Sequence, residues 1–146
     1  MINIYIAASS RVQRKQIRTM CYLLEARIRD RLVTKHGFIV CEGTLNACEL
    51  KALKAAVDRL KAPTDICVHS DDDYLLVTMG HFEELRNEQF LKKDGSPLMH
   101  SGIMKEISGK VKGTYAGTKH HEYENWMREE MIKVPPERIN CDLAGI

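Results

Sequence analysis

The stretch Thr44-Leu-Asn-Ala-Cys-Glu49-Leu-Lys-Ala-Leu-Lys-Ala-Ala-Val-Asp-Arg-Leu60 is where the reading of the fold begins. Leu50, Leu53, Val57 and Leu60 recur at helical spacing, so one face of a helix over 44–60 is buried. Asn46 followed three residues later by Glu49 is a helix-start pattern. A short polar side chain there caps open backbone N–H groups, and a carboxylate gains from the positive end of the helix dipole. On these residues alone Glu49 reads as a capping-box acid. Whether it does chemistry depends on what the rest of the chain sets against it.

Upstream, Ile2, Ile4 and Ile6 alternate with Asn3 and Tyr5 and predict a short strand that ends in Ala7-Ala-Ser-Ser10. Arg11, Arg14, Lys15 and Arg18 would share one face if their segment were helical; the segment serves equally as a connection between strands. From Met20 the period becomes two. Met20, Tyr22, Leu24, Ala26 and Ile28 point one way, and Cys21, Leu23, Glu25, Arg27 and Arg29 the other, which predicts a half-buried strand with a polar outer face near its end. A turn within 30–37 and a strand at Phe38-Ile-Val-Cys41 complete an antiparallel meander that leads into the helix.

Downstream, Pro63 closes the helix, because proline cannot continue its hydrogen-bond ladder. Ile66-Cys-Val-His-Ser70 is short and apolar, as expected of a strand parallel to the first and buried on both faces. It runs into Asp71-Asp-Asp73 and a helix from Tyr74. Two of these aspartates suit the helix start; Asp71 lies at the carboxyl end of the strand, where open α/β sheets place ligands. Further helices are expected over 82–90 and from Ile103, stopping near Gly109. A strand over 111–116, a polar loop 117–121 and a helix 122–131 follow, the last turning Trp126, Met127 and Met131 inward. Residues 1–132 read as one domain and 133–146, with Pro135-Pro136, as an extended tail.

Composition narrows the class. The five cysteines include no CxxC pair and sit mostly in apolar runs, which suits a reducing, cytoplasmic setting. No stretch approaches the roughly 20 apolar residues of a membrane span, so a soluble protein with no membrane partner is expected. Lys plus Arg exceed Asp plus Glu by 22 to 20, so any nucleic-acid affinity must come from where the charges lie. His120-His-Glu122 lacks the spacing that puts two zinc-binding histidines on one helix face.

Several motifs, taken in order, resemble those of the ribonuclease H family. Thr44-Leu-Asn46-Ala-Cys-Glu49-Leu resembles its T-N-N-x-x-E-L helix start, and Ser70-Asp71-Asp-Asp-Tyr74 its T/S-D-S-x-Y strand end, 22 positions on from Glu49 (71 minus 49). Leu91-Lys-Lys-Asp-Gly-Ser-Pro97 resembles a shortened basic handle, and Glu124-Asn125-Trp-Met-Arg-Glu129 the final E-N-x-x-x-D motif. The resemblance covers about residues 1–131. It implies a mixed five-stranded sheet, antiparallel over its first three strands and parallel through the last two, flanked by helices.

It also implies a chemistry: cleavage of the RNA strand of an RNA–DNA hybrid by two Mg²⁺ or Mn²⁺ ions about 3.5–4 Å apart, held by carboxylates. Carried over by motif, Glu49, Asp71 and Glu129 are metal ligands, and His120 or His121 assists proton transfer or product departure. Thr44 and Asn46 touch the nucleic-acid backbone. Arg11, Arg14, Lys15, Arg18, Lys92 and Lys93 supply phosphate contacts to a hybrid or to structured RNA. One departure stands out. The family's first strand carries an aspartate that bridges both metals, and Ala7 occupies that place here. Three carboxylates leave two dications underneutralised, so metal binding is expected to weaken and cleavage to fall or vanish. The alternative is a catalytically inactive binding or protein-interaction module on the same fold.

Overall fold

A computed structural model describes residues 1–133. Its elements are β1 (Ile2–Ala8), β2 (Gln16–Ile28), β3 (Arg31–Gly43), α1 (Leu45–Val57), β4 (Thr64–Ser70), α2 (Asp73–Gly80), α3 (Phe82–Asn87), α4 (Ser101–Ser108), β5 (Val111–Ala116) and α5 (Glu124–Lys133). Cys141 and all but the first residue of the expected tail lie outside the described residues. The strands form one sheet in the order β3-β2-β1-β4-β5, with antiparallel pairing from β3 to β1 and parallel pairing from β1 to β5. This is the α/β architecture expected from the order of elements. None of the described helices is long and apolar enough to cross a membrane.

The β2–β3 hairpin is longer and its turn tighter than the sequence suggested. Arg29 and Asp30, at φ +50° and +64°, form a two-residue turn, and pairing runs unbroken from Ile28↔Arg31 to Gln16↔Gly43. Positive φ at both turn positions matches the right-handed strand twist, a conformation usually signalled by Asn-Gly; Arg29-Asp30 carries no such signal, which is why the sequence points to a turn later, within 30–37.

Period two sorts the sheet into two cores. Ile4, Ile6, Met20, Tyr22, Leu24, Ile66 and Val68 face α1, whose Leu50, Leu53, Ala56 and Val57 are fully buried against them. Each such Leu or Val contributes about 1.5–3 kcal/mol relative to exposure. Tyr5, Ala7, Cys21 and Leu23 face the other way and are covered by Met127 and Met131 of α5. The outer face of β2 is therefore apolar under α5 and becomes polar only near Glu25.

Thr44, not Asn46, caps α1: its hydroxyl accepts from the Ala47 N–H at 3.3 Å. The capping-box reading of Asn46 and Glu49 is corrected accordingly, because both lie inside the helix. At the next helix the expectation holds, since Asp72 accepts from the Tyr74 N–H at 3.2 Å and Asp73 sits in the first turn.

The basic segment after β1 is a connection, not a helix. Arg18, only 1% exposed, organises it. Its Nη1 donates to the carbonyls of Ser10 and Val12, both at 2.8 Å, and its Nη2 to those of Arg14 at 2.9 Å and Gly43 at 3.0 Å. The assignment of Arg18 to a phosphate contact is thereby corrected: these carbonyls already hold its terminal donors inside the protein.

Candidate functional site

Parallel pairing of β1 with β4 builds the site. The register runs to Ile6↔Ser70, so Ala7 and Asp71 are the next residue on each strand after the last pair. Glu49 enters from α1, fully buried, with its carboxyl against Asp71 and Ser70. Burial pushes the Glu49 carboxyl well above the ordinary range, and the charges of Asp71 and Asp72 push it the same way. Burial also raises Asp71, against the opposing pull of Arg11.

The hydrogen-bond inventory here is unbalanced. Asn46 Oδ1, both Glu49 oxygens, Asp71 Oδ1 and Asp72 Oδ2 are buried without a donor. Buried acceptors normally find partners, and a cluster that does not marks a functional place in the fold.

Whether these residues fit a pair of divalent ions is decided by what surrounds them. Arg11 Nε lies 3.6 Å from Asp71 Oδ2, and Arg128 of α5 adds positive potential at the same carboxylate. Arg11, Arg128, Ala8 and Ser9 line a cavity of about 290 Å³ beside it. Of the three buried acids, Glu49 favours its proton, Asp71 is paired with a guanidinium and Asp72 has one oxygen committed to the Tyr74 N–H, so together they cannot neutralise two dications. Among the described residues no group of three or more His, Cys, Asp or Glu side chains could hold a metal ion. The donor set does not fit the two-metal centre.

The remaining expected residues are placed as follows. Glu129 is exposed and outside the cluster. Met127 and Met131 define the buried face of α5, and Glu129, two residues from either, points about 200° round the helix from them. Arg128 takes the place beside the site. His120 is exposed and pairs with Glu124 at 3.3 Å, while His121 packs on Tyr5 at a ring separation of 4.8 Å and accepts from the Tyr123 N–H. Both histidines make these contacts away from Glu49. Thr44 is half-buried with its hydroxyl used in capping. Arg14 and Lys15 are exposed on the 9–15 connection, and Lys92 and Lys93 on the turn after α3.

A polar network on the α5 side of the sheet escaped the sequence reading. Tyr5 and His69, paired across β1 and β4, stack at 4.5 Å and 13°. Asn3 Oδ1 lies 3.1 Å from His69 Nε2, Asn3 Nδ2 donates to Glu25 at 3.2 Å, and the Tyr123 hydroxyl donates to the other Glu25 oxygen at 2.5 Å. Its one sequence signal is polar residues at 3, 25 and 69 within otherwise apolar strands.

His69 Nδ1 accepts from the Thr118 N–H at 3.0 Å, so the ring is neutral with its proton on Nε2. Burial holds its pKa below the ordinary value, against the pull of Glu25, and burial likewise lowers His121. A histidine lowered on folding leaves the unfolded chain binding more protons, so stability is present above the unfolded value near 6.5 and is lost as pH falls below it. The acids at Glu49, Asp71 and Asp72 act on parent and variant alike, so the His69 contribution is read as a difference: the urea midpoint of the parent minus that of His69→Gln is expected to fall as pH drops from about 7.5 to 5.5. An unchanged pH profile in the variant would remove His69 from this account.

No protein-family model matches the sequence, and no curated protein matches it significantly. Solved structures do match. A foamy viral protease-reverse transcriptase in complex with dsDNA aligns over 90% of this chain and 92% of its own, at 15% identity and a TM-score of 0.62. The solution structure of the PFV RNase H domain aligns over 94% and 93%, at 14% identity and a TM-score of 0.60. The chain has the ribonuclease H-like fold. LC9-RNase H1, a type 1 RNase H with the type 2 active-site motif, shares the fold over 92% of this chain and 69% of its own, at 14% identity and a TM-score of 0.60. Within this ribonuclease H-like fold, Glu49 and Asp71 come together where α1 meets the end of β4, Ala7 follows the last β1–β4 pair, and Arg11 stands against Asp71.

Proposed function

We propose that this chain is a nucleic-acid-binding module on the ribonuclease H-like fold, gripping an RNA–DNA hybrid through its phosphates, with two-metal hydrolysis lost. The observation that carries the reading is the Arg11–Asp71 ion pair beside Ala7. A guanidinium there supplies the positive charge that a carboxylate cluster would otherwise recruit from solution. Half of the Arg11 side chain remains exposed, so donors not used on Asp71 can meet a phosphate in the adjoining cavity. Arg128 flanks that cavity, and Arg14 and Lys15 extend the basic surface along the connection that Arg18 holds in shape. Lys92 and Lys93 offer a second, separate basic point. The foamy viral protease-reverse transcriptase, whose fold this chain shares, has been solved with an RNA/DNA hybrid; this chain spans 20% of that protein.

Anisotropy of a labelled hybrid tests this. Binding is expected in EDTA and should weaken steeply between about 50 and 200 mM salt as counterions are released. Replacing Arg11, Arg14 and Lys15 together with alanine is expected to make the slope of log K against log salt shallower by about 3. The same samples in Mg²⁺ or Mn²⁺ should leave the hybrid intact. Cleavage that Glu49→Gln abolishes would overturn the proposal, as would the absence of salt-sensitive binding.

A further inference from the structure

A groove lies at the end of the sheet away from Glu49 and Asp71, where β1 and β4 begin and α1 stops. β2 and α1 have 13 residues each, but a strand rises about 3.3 Å per residue and a helix about 1.5 Å, so the helix spans less than half the length of the strand. α1 ends at Val57 and leaves the tip of the β2–β3 hairpin uncovered. Ile28 and Val33 remain 55% and 38% exposed there. The chain leaving the helix, residues 59–64, supplies the opposite wall. Between them Ile2, Leu24, Ala26, Ile28, Val33 and Leu60 line a cavity of about 350 Å³, the size of a small-molecule site.

The charged groups around this apolar lining have one sign. Lys35, Arg59 and Lys61 border the cavity, and no carboxylate does. Among the described residues none of the three cations belongs to an ion pair, and Asp58, the acid next to Arg59 in the chain, is held by Lys54 at 2.7 Å. Arg59 is also held in place before any ligand arrives. Its Nη1 donates to the His36 carbonyl at 2.9 Å, and its guanidinium lies 6.0 Å from the centre of the Tyr22 ring. Nε and Nη2, the edge of the fork that grips a carboxylate with two parallel hydrogen bonds, have no protein partner among the described residues.

We infer that this groove binds an aliphatic carboxylate, with the hydrocarbon chain laid along Leu24, Ala26, Ile28 and Leu60 and the carboxylate held by Arg59 between Lys35 and Lys61. The apolar lining answers the chain, and the unopposed cations answer the acid. A protein partner is the poorer match, because a stable interface covers about 800 Å² on each side, whereas this concavity is confined to the hairpin tip and one short connection. The inference stands on this groove alone and is independent of the nucleic-acid reading.

Calorimetric titration of the full chain with sodium dodecanoate, kept below its micelle concentration, is the test. One dodecanoate per chain is expected to bind. Decanoate and then octanoate should each bind about 15-fold more weakly than the acid two methylenes longer, since each buried methylene is worth about fourfold. Dodecyltrimethylammonium, with the same chain and the opposite charge, should not bind. Arg59→Gln is expected to weaken dodecanoate about tenfold and to keep the chain-length dependence. Ala26→Trp, which fills the floor of the groove, should abolish binding, with its urea midpoint reporting that it is folded. In the parent, amide shifts on adding dodecanoate should centre on residues 26–35 and 59–62, a readout that needs no variant. Equal binding of the cationic amphiphile, affinity independent of chain length, unchanged affinity in Arg59→Gln, shifts centred elsewhere, or no binding would each overturn the inference. So would sedimentation in which the parent self-associates and Ala26→Trp does not, because the groove would then belong to a second copy of the chain.

Discussion

Replacing Arg18 with methionine is expected to lower stability by about 3–5 kcal/mol, a fall in Tm on the order of 10 °C. The size follows from the burial. Methionine fills much of the volume but donates nothing, so the carbonyls of Ser10, Val12, Arg14 and Gly43 lose their shared donor at once. Three of those carbonyls belong to the connection carrying Arg11, Arg14 and Lys15, so hybrid binding should weaken as well. Arg11→Ala makes the contrast. Its side chain is 50% exposed and its ion pair is partly solvated, and the expected change in stability is about 1 kcal/mol or less. Urea unfolding of both variants checks the pair. Equal, small effects would show that the Arg18 hydrogen bonds contribute little net stability.

Glu49→Gln is expected to act in the opposite direction and to stabilise the protein near pH 8 by about 1–3 kcal/mol. Glu49 is fully buried beside Asp71, and neither of its oxygens has a donor. Its pKa is raised on folding, first by burial and then by Asp71 and Asp72. A carboxyl raised in this way binds its proton more tightly in the native state, so native stability falls as pH climbs from the unfolded value of 4.5 toward the folded one. Glutamine carries no charge to desolvate and adds an N–H donor that Asp71 Oδ1, itself unpartnered, can accept. Urea midpoints of parent and variant should therefore diverge between about pH 5 and 8, with the variant the flatter. A slope remains in the variant because burial raises Asp71 and Asp72 too. A variant destabilised across this range would show that Glu49 is better satisfied in solution than its surroundings indicate. A stabilising loss of a site carboxylate is the mark of a residue kept for something other than folding.

Much of this molecule is legible in its residues. Alternation at Ile2 to Ile6 and at Met20 to Ile28, the stripe Leu50, Leu53, Val57, and the Pro63 stop specify element type because each reflects a local geometry, period two or 3.6. Together with the short apolar run 66–70, they specify the order of strands and helices and hence the mixed sheet. The same residues bring Ala7, Asp71 and Glu49 to one end of it, since a parallel pair and the helix between its strands leave little freedom there.

Placement across distant segments was not legible. Arg11, Arg14, Lys15 and Arg18 look alike along the chain, yet Arg18 is interred among carbonyls while Arg11 reaches Asp71, 60 positions away (71 minus 11). The final helix is visible in the sequence, but whether Arg128 or Glu129 stands at the site depends on its rotation, which Met127 and Met131 set by packing on Tyr5, Ala7, Cys21 and Leu23. Local periodicity determines which face of each element is buried. Which charged groups meet is decided by register, helix rotation and the cost of leaving a buried charge or acceptor without a partner, and these exist only once the elements have packed.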